Sequence, residues 1–256
     1  MVNIIRLTIL DTWVVTMRNL IKYKRVPQLI VFSTIQPVMI LLLFNYVFGG
    51  ALRLPPGIDE YINYLLPGTL IQIVVFGITQ ATVAMAEDLK AGIISRFKSL
   101  PMSRFAVVAG RAFADMFRNL GVVIVLTIVG LTIGFEFGDG WVNGVIGLSL
   151  VLLFSFSISC VSICIGLIAK DPESAQAASF VWVFPLVFAS SIFVPIKTMP
   201  EWLQGFAEHQ PVSVVTSAVR SFTLGGDHDK VLPAIIWCLG IMIFFAIFAN
   251  QLYKKA

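Results

Sequence analysis

Apolar residues in this chain come in runs rather than in alternation. Charge-free stretches cover Val26–Leu52, Tyr61–Ala86, Asn119–Phe135, Gly140–Ala169, Ser174–Ile196 and Val231–Tyr253. A helix that crosses a bilayer needs about 20 mostly apolar residues, and no stretch carries an arginine near its middle, where one would cost about 2.5–3.5 kcal/mol. Gln36, Asn45, Gln72 and Gln80 are tolerable among so many Leu, Ile, Phe and Val. The third run is short and extends backwards through Phe105–Arg118. The predicted spans are therefore residues 26–52, 61–86, 106–135, 142–169, 174–196 and 231–253.

Three segments between or before the spans have their own pattern. In residues 1–25, Ile5, Ile9, Trp13, Thr16 and Leu20 recur at helical spacing, with Asn3, Asp11, Arg18, Lys22 and Arg25 opposite. That spacing predicts a helix lying in the membrane interface, its basic residues toward anionic head groups. Residues 87–104 predict a second amphipathic helix. Leu89, Ile93, Phe97 and Leu100 form one stripe, flanked by Lys90 and Arg96, with Asp88, Ser95, Lys98 and Ser99 on the other side. Gly92 weakens this helix, Pro101 ends it and Ser103 is placed to cap the next. The stripe is either an anchor in the lipid interface or a docking face for a soluble partner. Residues 198–225 predict two short helices broken at Pro211, the first opened by a Thr198-x-x-Glu201 capping box. Each is too short to cross, so the pair either enters the membrane and returns or rests on its outer surface.

Composition agrees with the pattern: 58% of the 256 residues are hydrophobic, 12% are charged, and mean hydropathy is +0.91. A soluble domain carries about 25% charged residues, so the chain reads as one all-α integral membrane domain over residues 1–256. Six spans place both termini on one side. With that side cytoplasmic, fourteen of the 18 Lys and Arg face inward, leaving Arg53, Lys197, Arg220 and Lys230 outside. Cytoplasmic segments carry such an excess, so both termini are expected inside. The N-terminal run is too long for a cleaved signal and has no A-x-A site. No basic soluble domain is present for nucleic acid to bind. Cys160, Cys164 and Cys238 lie in apolar runs and read as packing residues, and no metal-ligand spacing is visible.

One segment and four further stretches together resemble a known family. "GIISRFKSLPMSR" is similar to the cytoplasmic coupling segment of ABC-2-type permeases, especially the daunorubicin-resistance-type exporters. Ser95 stands where that family often has an acidic residue. "QPVMILLLFNYVFGGAL", "YLLPGTLIQIVVFG", "AGRAFADMFR" and "FVPIKTMPEWLQGFAEHQPVSVVTSAVRSFTLG" follow the same family in order, so the resemblance covers nearly the whole chain. It implies a six-span half-transporter in a bacterial cell membrane. Two such subunits, as a homodimer, would enclose a path for an amphiphilic substrate, with separate ATPase subunits docked beneath. It also implies that residues 87–104 are the coupling helix, with Glu87, Asp88, Leu89, Gly92, Ile93, Arg96, Phe97, Leu100, Pro101 and Arg104 at the docking site. The 198–225 pair, marked by Pro200, Glu201, Trp202, His209 and Pro211, becomes a re-entrant hairpin. The chain has no G-x-x-x-x-G-K-[ST] phosphate loop, so ATP and magnesium are expected on the partner subunit and no cofactor on this one.

Other constellations carry weaker chemistry. Arg111, Asp115 and Arg118 sit at i, i+4 and i+7, so Asp115 is expected to pair with either arginine, as a structural cluster or a gating element. Ser155/Ser159 and Ser162/Gly166 are small residues four apart, a pattern for close helix approach. His209 beside Glu208 is a lone histidine without a catalytic partner set. A membrane enzyme acting on lipid head groups would need more than the one carboxylate near Arg111 and Arg118. An ion-coupled transporter would be expected to show inverted repeats, and none is visible.

Overall fold

The computed structural model describes residues 2–25, 27–50, 60–100 and 102–255. Pro101, Arg53 and the end of the first predicted span lie outside the described residues. All regular structure among the described residues is helical: α1 (Val2–Arg25), α2 (Pro27–Phe48), α3 (Tyr61–Lys90), α4 (Ile93–Ser99), α5 (Arg104–Thr132), α6 (Gly140–Ala169), α7 (Pro172–Phe188), a 3-10 turn at Ile196–Thr198, α8 (Glu201–His209), α9 (Pro211–Leu224) and α10 (Val231–Lys255). Among them, α2, α3, α5, α6 and α10 are long and apolar enough to cross a membrane.

The bundle is built around α3 and α6, which pack on each other more extensively than any other pair, with α10 on the far side of α6 and α7 beside α3. Their approach depends on small residues: a Cβ on Gly166 would lie 2.7 Å from Met85 Cβ and from the Thr82 carbonyl oxygen. Polar groups in this interior bond across helices rather than to solvent. Asn119 Nδ2 donates to Ser155 Oγ at 2.8 Å, and Ser157 Oγ donates to the Cys238 carbonyl at 2.8 Å. The close-approach reading of the α6 serines therefore fits, and Cys160, Cys164 and Cys238 are buried free thiols. One apolar cluster gathers Leu65, Ile71, Leu126, Phe154 and Val215. A second, around Val15, Met85, Ile94, Ile163 and Tyr253, closes the end of the bundle that carries α1 and α4.

Several boundaries differ from the sequence expectation. Residues 87–104 are not one helix: α3 runs on through Lys90, and Gly92 turns the chain with a φ of 69° before the seven-residue α4. An L side chain rarely adopts that φ, so the glycine is a helix break, and i, i+4 spacing does not carry across it. Ser103 occupies the N-cap of α5 without a side-chain cap bond; its amide instead donates to Asp11 at 3.4 Å. The fifth predicted span, 174–196, is helical only to Phe188. α7 has 17 residues, about 25 Å at 1.5 Å per residue, and Asp171 caps its start by accepting the Ser174 amide at 2.9 Å. The Thr198/Glu201 capping box is absent as well, because the Thr198 hydroxyl donates to the Pro195 carbonyl and Pro200 takes the N-cap of α8.

α1 lies along α5. Val15, Thr16 and Asn19 are buried beneath it, while Ile9, Trp13, Val14, Met17 and Ile21 form an exposed apolar face. Arg18 and Lys22 turn inward to carboxylates of α3, where the sequence had aimed them at lipid head groups.

Candidate functional site

At the end of the bundle carrying α1 and α4, the charged residues converge on Asp88. This residue is 5% exposed and accepts a 2.8 Å bond from Arg111 Nη1 of α5 and a 3.4 Å bond from Arg18 Nη2 of α1. Lys22 stands 3.9 Å away and also reaches Glu87 at 3.1 Å. Asp88 does not share one helix side with Ser95, Lys98 and Ser99, as the 87–104 pattern predicts. It belongs to the last turns of α3, which pack beside α5 within reach of the α1 side chains Arg18 and Lys22. The one sequence signal for this was an acidic residue just past an apolar run, in a chain whose flanks are mostly basic.

Arg111, Asp115 and Arg118 are neighbours on α5, but their pairing is not the one expected. Asp115 is 1% exposed and accepts a 2.7 Å bond from the Tyr23 hydroxyl; among the described residues it forms no ion pair with either arginine. Burial, and next the Asp115 carboxylate, push the Tyr23 hydroxyl well above its ordinary pKa and keep it a donor. Arg118 donates to Gln80 Oε1 at 3.0 Å and Asn119 Oδ1 at 3.2 Å and lies over the Tyr23 ring. Arg111 goes to Asp88 because α3, not α5, supplies the nearest carboxylate.

The predicted stripe divides at the Gly92 break. Leu89 and Phe97 pack onto the chain's own second apolar cluster, and the Arg18 guanidinium sits 5.2 Å from the Phe97 ring centre. Ile94 is the fully enclosed member of α4, Ile93 is half-buried, and Leu100 is 49% exposed. Glu87, Ser95, Arg96, Lys98 and Ser99 are exposed with it. Arg104 is the first residue of α5. The outward face of this end is therefore mainly polar and basic, with one leucine at its edge. Beside it runs an open groove lined by Arg18, Ile21, Lys22, Arg25, Asp88 and Ile93.

Two cavities follow one face of α3. The first, about 370 Å³, lies between α2, α3 and α7. Gln36, Gln72, Gln80 and Gln176 line it together with Phe76, Phe180 and Phe184. Gln72 Oε1 and Thr79 Oγ1 are buried there without a hydrogen-bond partner. The second, about 260 Å³, shares Thr79, Gln80 and Gln176 with the first and continues toward Glu87 and Lys22. Sequence reading treated Gln36, Gln72 and Gln80 only as tolerated residues and did not weigh Gln176; the helical spacing of Gln72, Thr79 and Gln80 along α3 was the available signal.

At the opposite end, the hairpin residues behave differently. Pro200, Glu201, Trp202 and His209 are at the surface, with Trp202 81% exposed, and Pro211 begins α9. The hydrogen bonds that hold this end come from residues without a site role in the sequence reading. Arg220 of α9 donates to the Tyr64 carbonyl at 3.0 Å and the Ile192 carbonyl at 2.9 Å, and sits 3.6 Å from the Tyr64 ring centre. The Tyr61 and Tyr64 hydroxyls donate to the Phe193 and Ser191 carbonyls at 3.0 and 2.9 Å, while the Ser191 amide donates to Ser213 Oγ at 3.0 Å. The non-helical chain after α7 thus has its polar backbone groups taken up by side chains of α3 and α9.

The family model of the ABC-2 type transporter matches residues 11–224. The chain is 32% identical over 241 residues to the daunorubicin resistance ABC transporter permease protein DrrB1 of Streptomyces coeruleorubidus, an alignment covering 93% of this chain and 84% of that protein. It is 23% identical over 255 residues to the probable doxorubicin resistance ABC transporter permease protein DrrC of Mycobacterium tuberculosis, covering 99% and 92%. A third relative, the doxorubicin resistance ABC transporter permease protein DrrB of the same species, is 25% identical over 195 residues, or 76% of this chain and 66% of that one. The chain belongs to the ABC-2 type transporter family and is a membrane permease homologous to the daunorubicin and doxorubicin resistance permeases.

Proposed function

We propose that this chain is the membrane subunit of an ATP-driven exporter that moves a hydrophobic or amphiphilic molecule, a drug or a lipid, out of the inner leaflet of a bacterial cell membrane. The observation that carries this reading is the pair of cavities along α3 that share Thr79, Gln80 and Gln176, in which buried Gln72 Oε1 and Thr79 Oγ1 are unpartnered and the lining also holds Phe76, Phe180 and Phe184. Ligand sites are mostly apolar with a few placed polar groups, and such a lining suits an amphiphile. The names of the relatives point to anthracycline-like drugs as the first substrates to try.

In this reading α2, α3, α5, α6, α7 and α10 make six crossings, with both termini in the cytoplasm as the basic residues favour. α7 is short for an apolar core of about 30 Å, and the packed segment after it completes the crossing. α9 re-enters the membrane beside α3 and α6; its buried Val212, Val215 and Val219 support this, since non-helical backbone there is shielded by protein. Two copies form the path. Each engages a separate ATPase, which holds ATP and magnesium, through the exposed face of α4 around Arg96, Lys98 and Leu100. ATPase closure then pulls on α4, and the Arg18 contact to Phe97 and Asp88 carries the movement to α1, α3 and α5.

The test is reconstitution in proteoliposomes with an ABC ATPase subunit, following loss of daunorubicin fluorescence from the inner leaflet. Vanadate-sensitive transport is expected only with both proteins present. Gln72→Leu should lower transport about tenfold while leaving assembly intact. Transport by the permease alone, driven by a proton gradient and indifferent to vanadate, would overturn the proposal.

A further inference from the structure

The cavity between α1, α3 and α5 has an excess of positive charge. Its wall carries three cations, Lys22, Arg111 and Arg118, against one carboxylate, Glu87. Glu87 is engaged by Lys22, and Arg111 by Asp88. Arg118 is left over. It is 9% exposed, meets no carboxylate among the described residues, donates to the side-chain oxygens of Gln80 and Asn119 and lies over the Tyr23 ring, and its Nε is buried with no partner. The Nε of Arg111, on the same wall, is likewise unpartnered. Asp115, one turn away, is held by Tyr23 and forms no ion pair with Arg118 among the described residues.

Counting back from Thr132 at about 1.5 Å per residue places Arg118 about 21 Å along the span, in the last third of an apolar core about 30 Å thick. An ionised group at that depth is costly unless it meets an opposite charge. Basic pockets between helices near a membrane face bind phosphate head groups, and a guanidinium matches phosphate geometry with parallel donors. The cavity holds about 260 Å³, several times the roughly 30 Å³ share of one water, which is room for a phosphate and part of its glycerol.

We propose that this cavity binds the phosphate of an anionic lipid of the leaflet nearest α1, with Arg118 as its principal ligand and Arg111 and Lys22 assisting. Under the orientation proposed above that leaflet is the inner one. The cavity is one of the two assigned above to the substrate, but lipid retention is read on the chain alone, without ATPase or transport, so the two readings fail separately.

The experiment is native mass spectrometry of the delipidated full chain in detergent, with added phosphatidylglycerol, diacylglycerol or inorganic phosphate. Phosphatidylglycerol should be retained over diacylglycerol, and Arg118→Gln should cut that retention about tenfold. Gln80→Glu guards against misfolding: it sets a carboxylate against Arg118 with little change of shape and should reduce retention to the same degree. Equal retention by wild type and Gln80→Glu overturns the site. Displacement of the lipid by inorganic phosphate at matching concentration overturns the lipid as its source and leaves a free-anion site.

Discussion

The two ends of the bundle treat buried charge in opposite ways. Around Asp88 helices meet helices, and arginine pairs with carboxylate: Arg111 and Arg18 converge on one acidic residue. Around Arg220 the described residues include no ion pair to that arginine, and its partners are backbone carbonyls and a tyrosine ring. The difference follows from backbone continuity. Where helices pack side by side, an acidic residue of α3 meets the buried cations of α1 and α5. Where α7 stops at Phe188 and the chain turns inside the protein, free carbonyls need donors, and an arginine with two tyrosines supplies them. Arg118 is the exception at the first end: it has a tyrosine ring and two side-chain amide oxygens beside it but no carboxylate among the described residues, which is why it reads as a binding group.

The comparison can be broken most severely at Asp88. Asp88→Ala leaves Arg111 buried and unpaired, and the loss should be about 3–5 kcal/mol, measured by thermal unfolding in detergent. Adding Arg111→Met should recover much of it. If Asp88→Ala alone is harmless, the ion pairs are not what holds α1 and α5 to α3. Arg220→Met comes next: two carbonyls lose a charged donor, at a cost of about 2–3 kcal/mol. Faster cysteine labelling of an Ile192→Cys reporter should accompany it, because the segment after α7 loosens. Tyr64→Phe removes a single donor from Ser191 and should cost about 1 kcal/mol; a loss as large as that of Arg220→Met would mean the tyrosine, not the arginine, anchors the turn. Leu100→Asp should have the smallest effect on stability, under about 0.5 kcal/mol, yet abolish ATPase association in size-exclusion chromatography with light scattering. Phe97→Asp should disturb both properties, since Phe97 touches its own chain. An assembly unchanged by Leu100→Asp would move the docking face away from α4.

Much of the architecture was legible in advance because it rests on local chemistry. Runs of apolar residues long enough to cross a membrane became α2, α3, α5, α6 and α10 within a few residues, and Pro211 separated two short helices as its missing amide hydrogen requires. The candidate site was less legible. Helical spacing across Gly92 joined Leu89 to Phe97 in one stripe, but a backbone turn of positive φ divides them. The i, i+4 spacing linked Arg111 to Asp115, but the nearer anion came from another helix. Arg220 lies 156 residues from Tyr64, and only the return of α9 to α3 brings it to Tyr61 and Tyr64.

By itself, the sequence determined that this is a helical membrane protein, where its long helices lie and which family it belongs to. The helices follow from hydrophobicity, proline and glycine acting within a few residues of themselves, and the family from motifs in register along the chain. Tertiary structure alone decided which charges meet, which glutamines share a cavity and which arginine is left without an anion. Side chains far apart in the chain are brought together by helix packing, and buried electrostatics depends on distance through space rather than along the sequence.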